Sequence, residues 1–580
     1  MKRAAIWGLV AGAGLVTMGL ALFWVTRDSG EHWLKVETSD DKTLSHRFEM
    51  APRLALRPRK VQDVADSLGF KRAQEAQEVA VALAERVAAG FMPSRWRETC
   101  AAEYPPQLCE AVVDYFGVVL KRSPKPSGSP SARVNARFVP AQVDKLQRAD
   151  FAALRRSAPP KMKMSELTKL ANAALKTTAC PRSLSLVLAR KFEEELPNPA
   201  AWPLMLKLDD HGLGCLEASD PSAEFLLLRG GLFKYAREEW DAAEKYLLKA
   251  AEVEDPDEDY RSLYWLARLY REQGRDEDAR RMRERLYAKH PLSWYTIQSH
   301  VETGGDPLAR LTSSPNYADL YESGDAMTDR RIAWLHLLMS LPNAGFSVRK
   351  YGEFVIRNLP RDVNPSVVQY LARLFSHTAF YRLQILILSQ LSASRPEHVT
   401  AESLRLLYPK PFVEEISVKA PEVDTALLLG LARQESGFDP KARSRANAQG
   451  LLQILPSTAY SVKKKTKTEL YDYAHNIEVG SKYLLTLIQR FDGSVERALG
   501  GYNAGPGNVR KWERRYAWFV NDPLLFVDLI PFRETRDYAP SILRNAYWYH
   551  RLFPGFTENL GKGSVTSLSL RKALNLPVAN

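Results

Sequence analysis

Residues Leu428–Pro440 read LLGLARQESGFDP and place a single acid, Glu435, at the end of a leucine-rich run, with Ser436 and Gly437 directly after it. Leu427, Leu428 and Leu431 share one face of a helix, and Glu435, four positions beyond Leu431, continues that face. The carboxyl group is therefore aimed with the apolar stripe. Gly437 supplies a stop, because glycine enters the left-handed conformation that ends many helices without steric cost. Two effects raise the pKa expected for Glu435: the leucines strip water from it, and the carbonyl end of a helix carries partial negative charge. A carboxylic acid that stays protonated near neutral pH is what a general acid needs. The plain alternative is a glutamate that frays into water at a helix end.

The residues downstream weigh against the plain alternative. Ser444 to Ala459, SRANAQGLLQILPSTA, sets Gly450 beside two leucines, then Gln453, then Pro456 opening another helix. In NIEVGSKYLLTLIQRF, which begins at Asn476, Ile477, Gly480, Leu484 and Leu487 lie on one face, and Gly480 lets a neighbour approach closely. ALGGYNAGPGNVRKW carries Ala498, Leu499 and Tyr502 into a glycine-rich turn at Gly505 and Gly507. IPFRETRDYAPSILRNAYWY then brings Glu534 and Tyr538.

In these blocks the chain resembles the soluble lytic transglycosylase family, whose SLT catalytic domain has a goose-lysozyme-like α-helical fold. ARQESGFDPKARS stands for its Glu-Ser motif, GLLQILPSTA for its Gly-Leu-Met-Gln motif, GYNAGPGNV for its Ala-Tyr-Asn-Ala-Gly motif, and IPFRETRDY for its Pro-Phe-x-Glu-Thr-x-x-Tyr motif, in the family's order. The likeness covers residues 412–555. Three positions depart from the pattern: Leu452 stands for methionine, Gly501 for alanine and Asn447 for glycine. None removes a polar group that the chemistry needs.

The resemblance implies cleavage between N-acetylmuramic acid and N-acetylglucosamine, with Glu435 acting first as acid and then as base. A second carboxylate is dispensable if the substrate's own acetamido oxygen supports the developing charge. The muramic acid 6-hydroxyl then closes a 1,6-anhydro ring without water. By the same resemblance Ser436 and Gln453 are expected to hydrogen-bond the sugar or lactyl group. Tyr502 and Asn503 are expected to line the cleft wall, where the Tyr502 hydroxyl could be turned toward Glu435 or the acetamido group, with Glu534 and Tyr538 either behind the contacting residues or at the cleft rim.

Upstream, the chain reads as helices throughout, which makes the fold class all-α. Val79, Leu83 and Val87 recur every four residues within a helical region at 61–220, interrupted by the Pro/Ser-rich basic loop at 121–137. GGLFKYAREEWDAAEKYLLKAAEVEDP and YRSLYWLARLYREQGRDEDARRMRERLYAKHP superimpose with Gly231 on Ala267 and Ala243 on Ala279, each segment closing on a proline, Pro256 or Pro291. This resembles tetratricopeptide helix pairs, so residues 221–411 are expected to stack as a superhelix. The acidic EVEDPDEDY between the pairs lacks the glycine and terminal glutamate of a calcium loop and reads as a solvated connection. Residues 556–580 read as a C-terminal tail.

At the N-terminus, Lys2 and Arg3 precede a run from Ala4 to Val25 whose lone hydroxyl side chain is Thr17. At a rise of about 1.5 Å per residue such a run crosses a bilayer core of about 30 Å. Residues 1–29 are therefore expected to be a retained inner-membrane anchor rather than a cleaved signal, with the remainder in the periplasm, and 30–60 a juxtamembrane linker. In that compartment Cys100, Cys109, Cys180 and Cys215 could form two bridges, most simply Cys100 with Cys109 and Cys180 with Cys215, although three connectivities exist and buried thiols are the alternative. No CxxC pair or Cys/His cluster occurs, so no metal and no cofactor are expected.

The formal charge of +13 suits any polyanion, including a carboxylate-bearing cell-wall polymer. Peptidoglycan glycan strands are the expected partner, with cell-wall or secretion machinery proteins as further candidates. No nucleic-acid motif accompanies the charge, so nucleic acid is not expected. Two other readings remain open on sequence alone: a muramidase of the same fold that uses water, and a non-catalytic scaffold that binds cell wall and partner proteins.

Overall fold

The computed structural model describes residues 164–176, 201–213, 223–252, 259–310, 323–339, 345–463, 469–517, 522–558 and 566–574, with short pieces between 68 and 112 and around 188–192. Among these residues every regular element is a helix. Isolated bridges pair Arg443 with Gln449 and Gln449 with Ile454. No described helix is long and apolar enough to cross a membrane. The expected anchor at 1–29, the linker at 30–60 and the loop at 121–137 lie outside the described residues.

Contacts divide the chain into two units. One comprises Met1–Ser129, Leu311–Phe412 and Gly437–Asp439; the other comprises Pro130–Arg310, Val413–Ser436 and Pro440–Asn580. The region 221–411, expected to form one superhelix, is thus shared between them.

In the first unit, the described helices include Pro365–His377 and Tyr381–Ser394. The first begins where Asn364 accepts from the Ser366 amide with Pro365 at the first helical position, which removes one orphan donor and avoids another. Thr400 and Ser403 form a reciprocal capping box at the start of Ala401–Leu407. Cys109 is disulfide-bonded, whereas Cys100, Cys180 and Cys215 lie outside the described residues.

The second unit opens its repeat-like part with helices α1 (Ala223–Tyr235), α2 (Trp240–Glu252), α3 (Asp259–Glu272), α4 (Asp276–Lys289) and α5 (Trp294–Thr303). The superposition of small residues has a packing cause. A Cβ on Gly231 would lie 2.8 Å from Leu247 Cγ, so only glycine lets α1 and α2 meet there. Ala243, Ala267 and Ala279 are all buried. Glu244 of α2 links the two pairs by accepting from the Tyr270 hydroxyl at 2.9 Å and pairing with Arg275 at 2.7 Å.

The remaining part of this unit contains α6 (Thr425–Ser436), α7 (Pro456–Val462), α8 (Tyr473–Arg490), α9 (Val495–Ala504), α10 (Pro506–Arg515), α11 (Pro523–Asp528), α12 (Arg533–Leu552) and α13 (Leu568–Ala573). The single-stripe reading of α6 is too narrow: Ala426 through Arg433 are buried without interruption, the pattern of a helix enclosed on all sides. Its closest neighbour is α12, since a Cβ on Gly430 would stand 2.9 Å from the Ile542 carbonyl. Residues in the expected tail are tied down. Ser567 donates to Glu496 at 2.7 Å, and Thr566 donates to Asp424, which caps the start of α6 through the Ala426 amide.

Candidate active site

Glu435 is the penultimate residue of α6, and the helix ends directly after it, with Gly437 at φ +60°. Its side chain is half-buried. Oε1 accepts a hydrogen bond from the hydroxyl of Tyr538, while Oε2 takes no bond from a described residue. Burial pushes the Glu435 carboxyl up to about 7, the nearby Glu534 charge adds to that rise, and the bond from Tyr538 works against it. One oxygen is thus held while the other, on a carboxyl group that keeps its proton near neutrality, stays available.

Tyr538 is buried, and its phenol is pushed well above the usual range, first by burial and then by the charge of Glu435. It therefore acts as a hydrogen-bond donor and not as a phenolate. Tyr502 is shifted the same way by the same two causes, which puts it within electrostatic reach of Glu435. Its hydroxyl donates to the Leu452 carbonyl at 2.8 Å, so it braces the 449–453 loop.

The other expected side chains divide by what they touch. Asn503 donates to Glu534 at 3.1 Å and accepts from the Thr535 hydroxyl at 2.6 Å, which joins the end of α9 to the start of α12. Glu534 is exposed. Ser436 is buried, and its hydroxyl donates to the Leu451 carbonyl at 2.8 Å, fastening the end of α6 to the loop. Gln453 sits at φ +47°, unusual for a residue with a side chain. Its amide nitrogen donates to the carbonyls of Gly450 and Ala442 at 2.8 and 3.1 Å, leaving the amide oxygen as its uncommitted acceptor.

Sequence reasoning passed over Asn476 and Thr535. Asn476 is fully buried; its Oδ1 accepts from the Leu452 amide at 2.7 Å, and its Nδ2 donates to the carbonyls of Gln449 and Leu470 at 2.9 Å each. One amide thereby sets the path of the whole loop. The signal was present: Asn476 lies four positions before Gly480, so it is a polar residue on an apolar face, and a buried amide needs partners. Gly450, at φ +81°, fits beneath it because a Cβ there would sit 2.0 Å from the Leu470 carbonyl. The three departures from the family pattern are accommodated. Leu452 packs where Gly480 has no side chain, the ring of Phe491 fills the space beside Gly501, and Asn447 takes φ +69°, which asparagine tolerates better than most residues. Among the described residues no cluster of side chains could hold a metal ion.

The fold is that of the large lytic transglycosylases. The 70 kDa soluble lytic transglycosylase of Escherichia coli superimposes with a TM-score of 0.51 at 20% identity, covering 88% of this chain and 75% of that one. An inactive mutant of the lytic transglycosylase Slt from Pseudomonas aeruginosa gives 0.54 at 19% identity, covering 90% and 79%. Residues 413–523 match the family model described as Transglycosylase SLT domain. Among curated proteins, the soluble lytic murein transglycosylase of Salmonella typhimurium is 29% identical over 306 residues, 51% of this chain and 44% of that protein. Its counterpart in Escherichia coli strain K12 is 30% identical over 303 residues, 50% and 44%. The matched region thus spans less than half the length of these curated relatives.

Proposed function

We propose that this protein is a peptidoglycan lytic transglycosylase that cleaves the β-1,4 bond between N-acetylmuramic acid and N-acetylglucosamine, with Glu435 as its acid and base. The observation that carries this reading is the state of Glu435 inside an SLT domain: half-buried, held through one oxygen by Tyr538, and raised to about 7.

Protonated Glu435 gives its proton to the bridging oxygen as the bond from that oxygen to the muramic acid anomeric carbon breaks. The acetamido oxygen of the same sugar covers the anomeric carbon, so no second carboxylate is needed. Ionised Glu435 then takes the proton from the muramic acid 6-hydroxyl while that oxygen bonds to the anomeric carbon. The enzyme regains its proton, and a 1,6-anhydro end is left. Burial keeps Glu435 protonated at the outset and makes its carboxylate a better base in the second half, while the Tyr538 bond stabilises the carboxylate that forms as the proton leaves in the first. Gln453 offers its amide oxygen, Glu534 offers an exposed carboxylate held by Asn503, and Tyr502 braces the 449–453 loop that carries Gln453.

The expected compartment is the periplasm, with residues 1–29 as anchor. The disulfide at Cys109 fits an oxidising environment, and the charge of +13 fits an acidic wall polymer. Digestion of purified glycan strands tests the reading: 1,6-anhydromuramic ends are expected from the parent chain and none from Glu435→Gln. Reducing ends, heavier by one water, would instead assign a hydrolytic muramidase, and full activity in Glu435→Gln would remove the reading altogether.

A further inference from the structure

The helix that carries Tyr538 is held by a side chain from the repeat-like part of the same unit. Arg261 of α3 is only 1% exposed. Its Nε donates to Asp528 Oδ1 at 2.9 Å, and its Nη2 donates to Asp537 Oδ1 at 2.6 Å. Asp528 is itself fully buried and also accepts from Trp265 Nε1 at 2.7 Å and from the Tyr295 hydroxyl. Nη1 of Arg261 donates to the Tyr260 hydroxyl at 2.8 Å, so the guanidinium has an acceptor for each of its three nitrogens.

The two acids flank one turn. Asp528 ends α11 and Asp537 lies just inside α12, so a single rigid guanidinium grips both sides of residues 529–532. Arg536 adds a bond from Nη1 to the Ile530 carbonyl at 3.0 Å across the same turn. The next residue after Asp537 is Tyr538, whose hydroxyl meets Glu435, and Glu534 of the same first turns meets Asn503. Whatever fixes the start of α12 therefore fixes both contacts.

We infer that Arg261 is a positioning residue: by clamping Asp528 and Asp537 it sets the start of α12 and hence the placement of Tyr538 against Glu435. The repeat-like helices are then part of the reacting body and not only a support for it. The inference rests on the reading of Glu435 as the acid. A misplacement of about 1 Å at a reacting group costs roughly a hundredfold in rate, so a clamp remote from the substrate has leverage on turnover. Lysine keeps the charge but cannot reach two acids with a planar fork, so it restores only part of the function.

The test uses the full-length chain on glycan strands. Arg261→Met is expected to lower kcat at least about tenfold with KM within about twofold of the parent, and Arg261→Lys to recover part of that loss. If Arg261→Met fails to fold, Asp537→Asn serves, because Asp537 is 36% exposed and its loss leaves Arg261 paired with Asp528. Hydrogen exchange over residues 533–540 should quicken in Asp537→Asn while residues 541–552 stay protected. Folded variants with the parent's kcat, or unchanged exchange at 533–540, would overturn the inference. So would an equal fall in kcat for Arg551→Gln, which breaks only the peripheral pair with Asp306. A parent chain that makes no anhydro ends would instead sink the enzymatic reading, and the exchange measurement would still decide whether Arg261 orders this turn.

Discussion

The Tyr538 hydroxyl donates to Glu435 Oε1 across 103 positions of sequence, joining the C-terminal end of α6 to the second turn of α12. Since α6 is enclosed and its backbone touches α12 at Gly430, the two residues are held at a separation that neither helix could set alone. The bond leaves one carboxyl oxygen for chemistry and tempers a pKa that burial has raised.

The first consequence concerns pH. In the proposed reaction the acid step needs protonated Glu435, whose carboxyl is pushed up to about 7, so kcat/KM for glycan cleavage is expected to fall about tenfold per pH unit on the alkaline side. Glu534 raises that pKa by like charge. Glu534→Gln should therefore move the alkaline limb to lower pH, and a pH–rate profile of both chains checks the direction. A limb that stays in place or moves upward would contradict the electrostatic link.

Stability should carry the same signature. In the folded chain Glu435 keeps its proton up to about 7, whereas its ordinary value is 4.5. The folded state therefore binds more protons between these values. This contribution is complete below about 4.5 and is lost as pH rises through about 7. Thermal melts of Glu435→Gln, which cannot titrate there, should show a flatter dependence over this window, with the variant gaining on the parent as pH rises. Parallel curves for the two chains would count against a buried, protonated Glu435.

Asn476 offers a test of the loop. Replacing it with alanine strands the Leu452 amide and the Leu470 carbonyl in the interior, while the Gln449 carbonyl keeps its bond from the Ile454 amide. Unmade bonds to buried backbone groups should cost roughly 2–4 kcal/mol in urea unfolding. Asn476→Asp should be no milder, since a carboxylate keeps the acceptor but faces two carbonyl oxygens without a proton to give. Full stability in either variant would mean that the loop is shaped elsewhere.

Gly450 should be the least tolerant glycine of the unit. Alanine there meets the Leu470 carbonyl at 2.0 Å and also adopts φ +81°. The left-handed backbone alone costs roughly 1–2 kcal/mol, and the clash must be relieved by moving the 449–453 segment. Gly450→Ala is expected to lose activity more than it loses helix content, as read by circular dichroism beside product formation. Gly274, with open space around its missing side chain, is the control.

Much of the candidate site could be read in sequence because its parts are local. The enclosed leucines before Glu435, Gly437 after it, and the ordered blocks around Gln453, Tyr502 and Tyr538 each depend on neighbours a few positions away. Small residues at Gly231, Ala243, Ala267 and Ala279 marked close helix contacts for the same reason. The work done by each polar side chain was less legible. Ser436 spends its hydroxyl on the Leu451 carbonyl, Tyr502 on the Leu452 carbonyl and Gln453 its amide nitrogen on Gly450 and Ala442, because backbone groups in a tight buried loop must find partners.

By itself the sequence determined that the chain is built of helices and that one acid stands at the end of an apolar helix, since periodicity, glycine stops and burial of leucine are encoded within a few turns. Only the tertiary structure decided that Tyr538 holds Glu435, that Asn476 shapes the loop opposite, and that Arg261 grips both Asp528 and Asp537. Hydrogen bonds and ion pairs act over about 3 Å in space, and no spacing along the chain encodes which distant groups packing will bring that close.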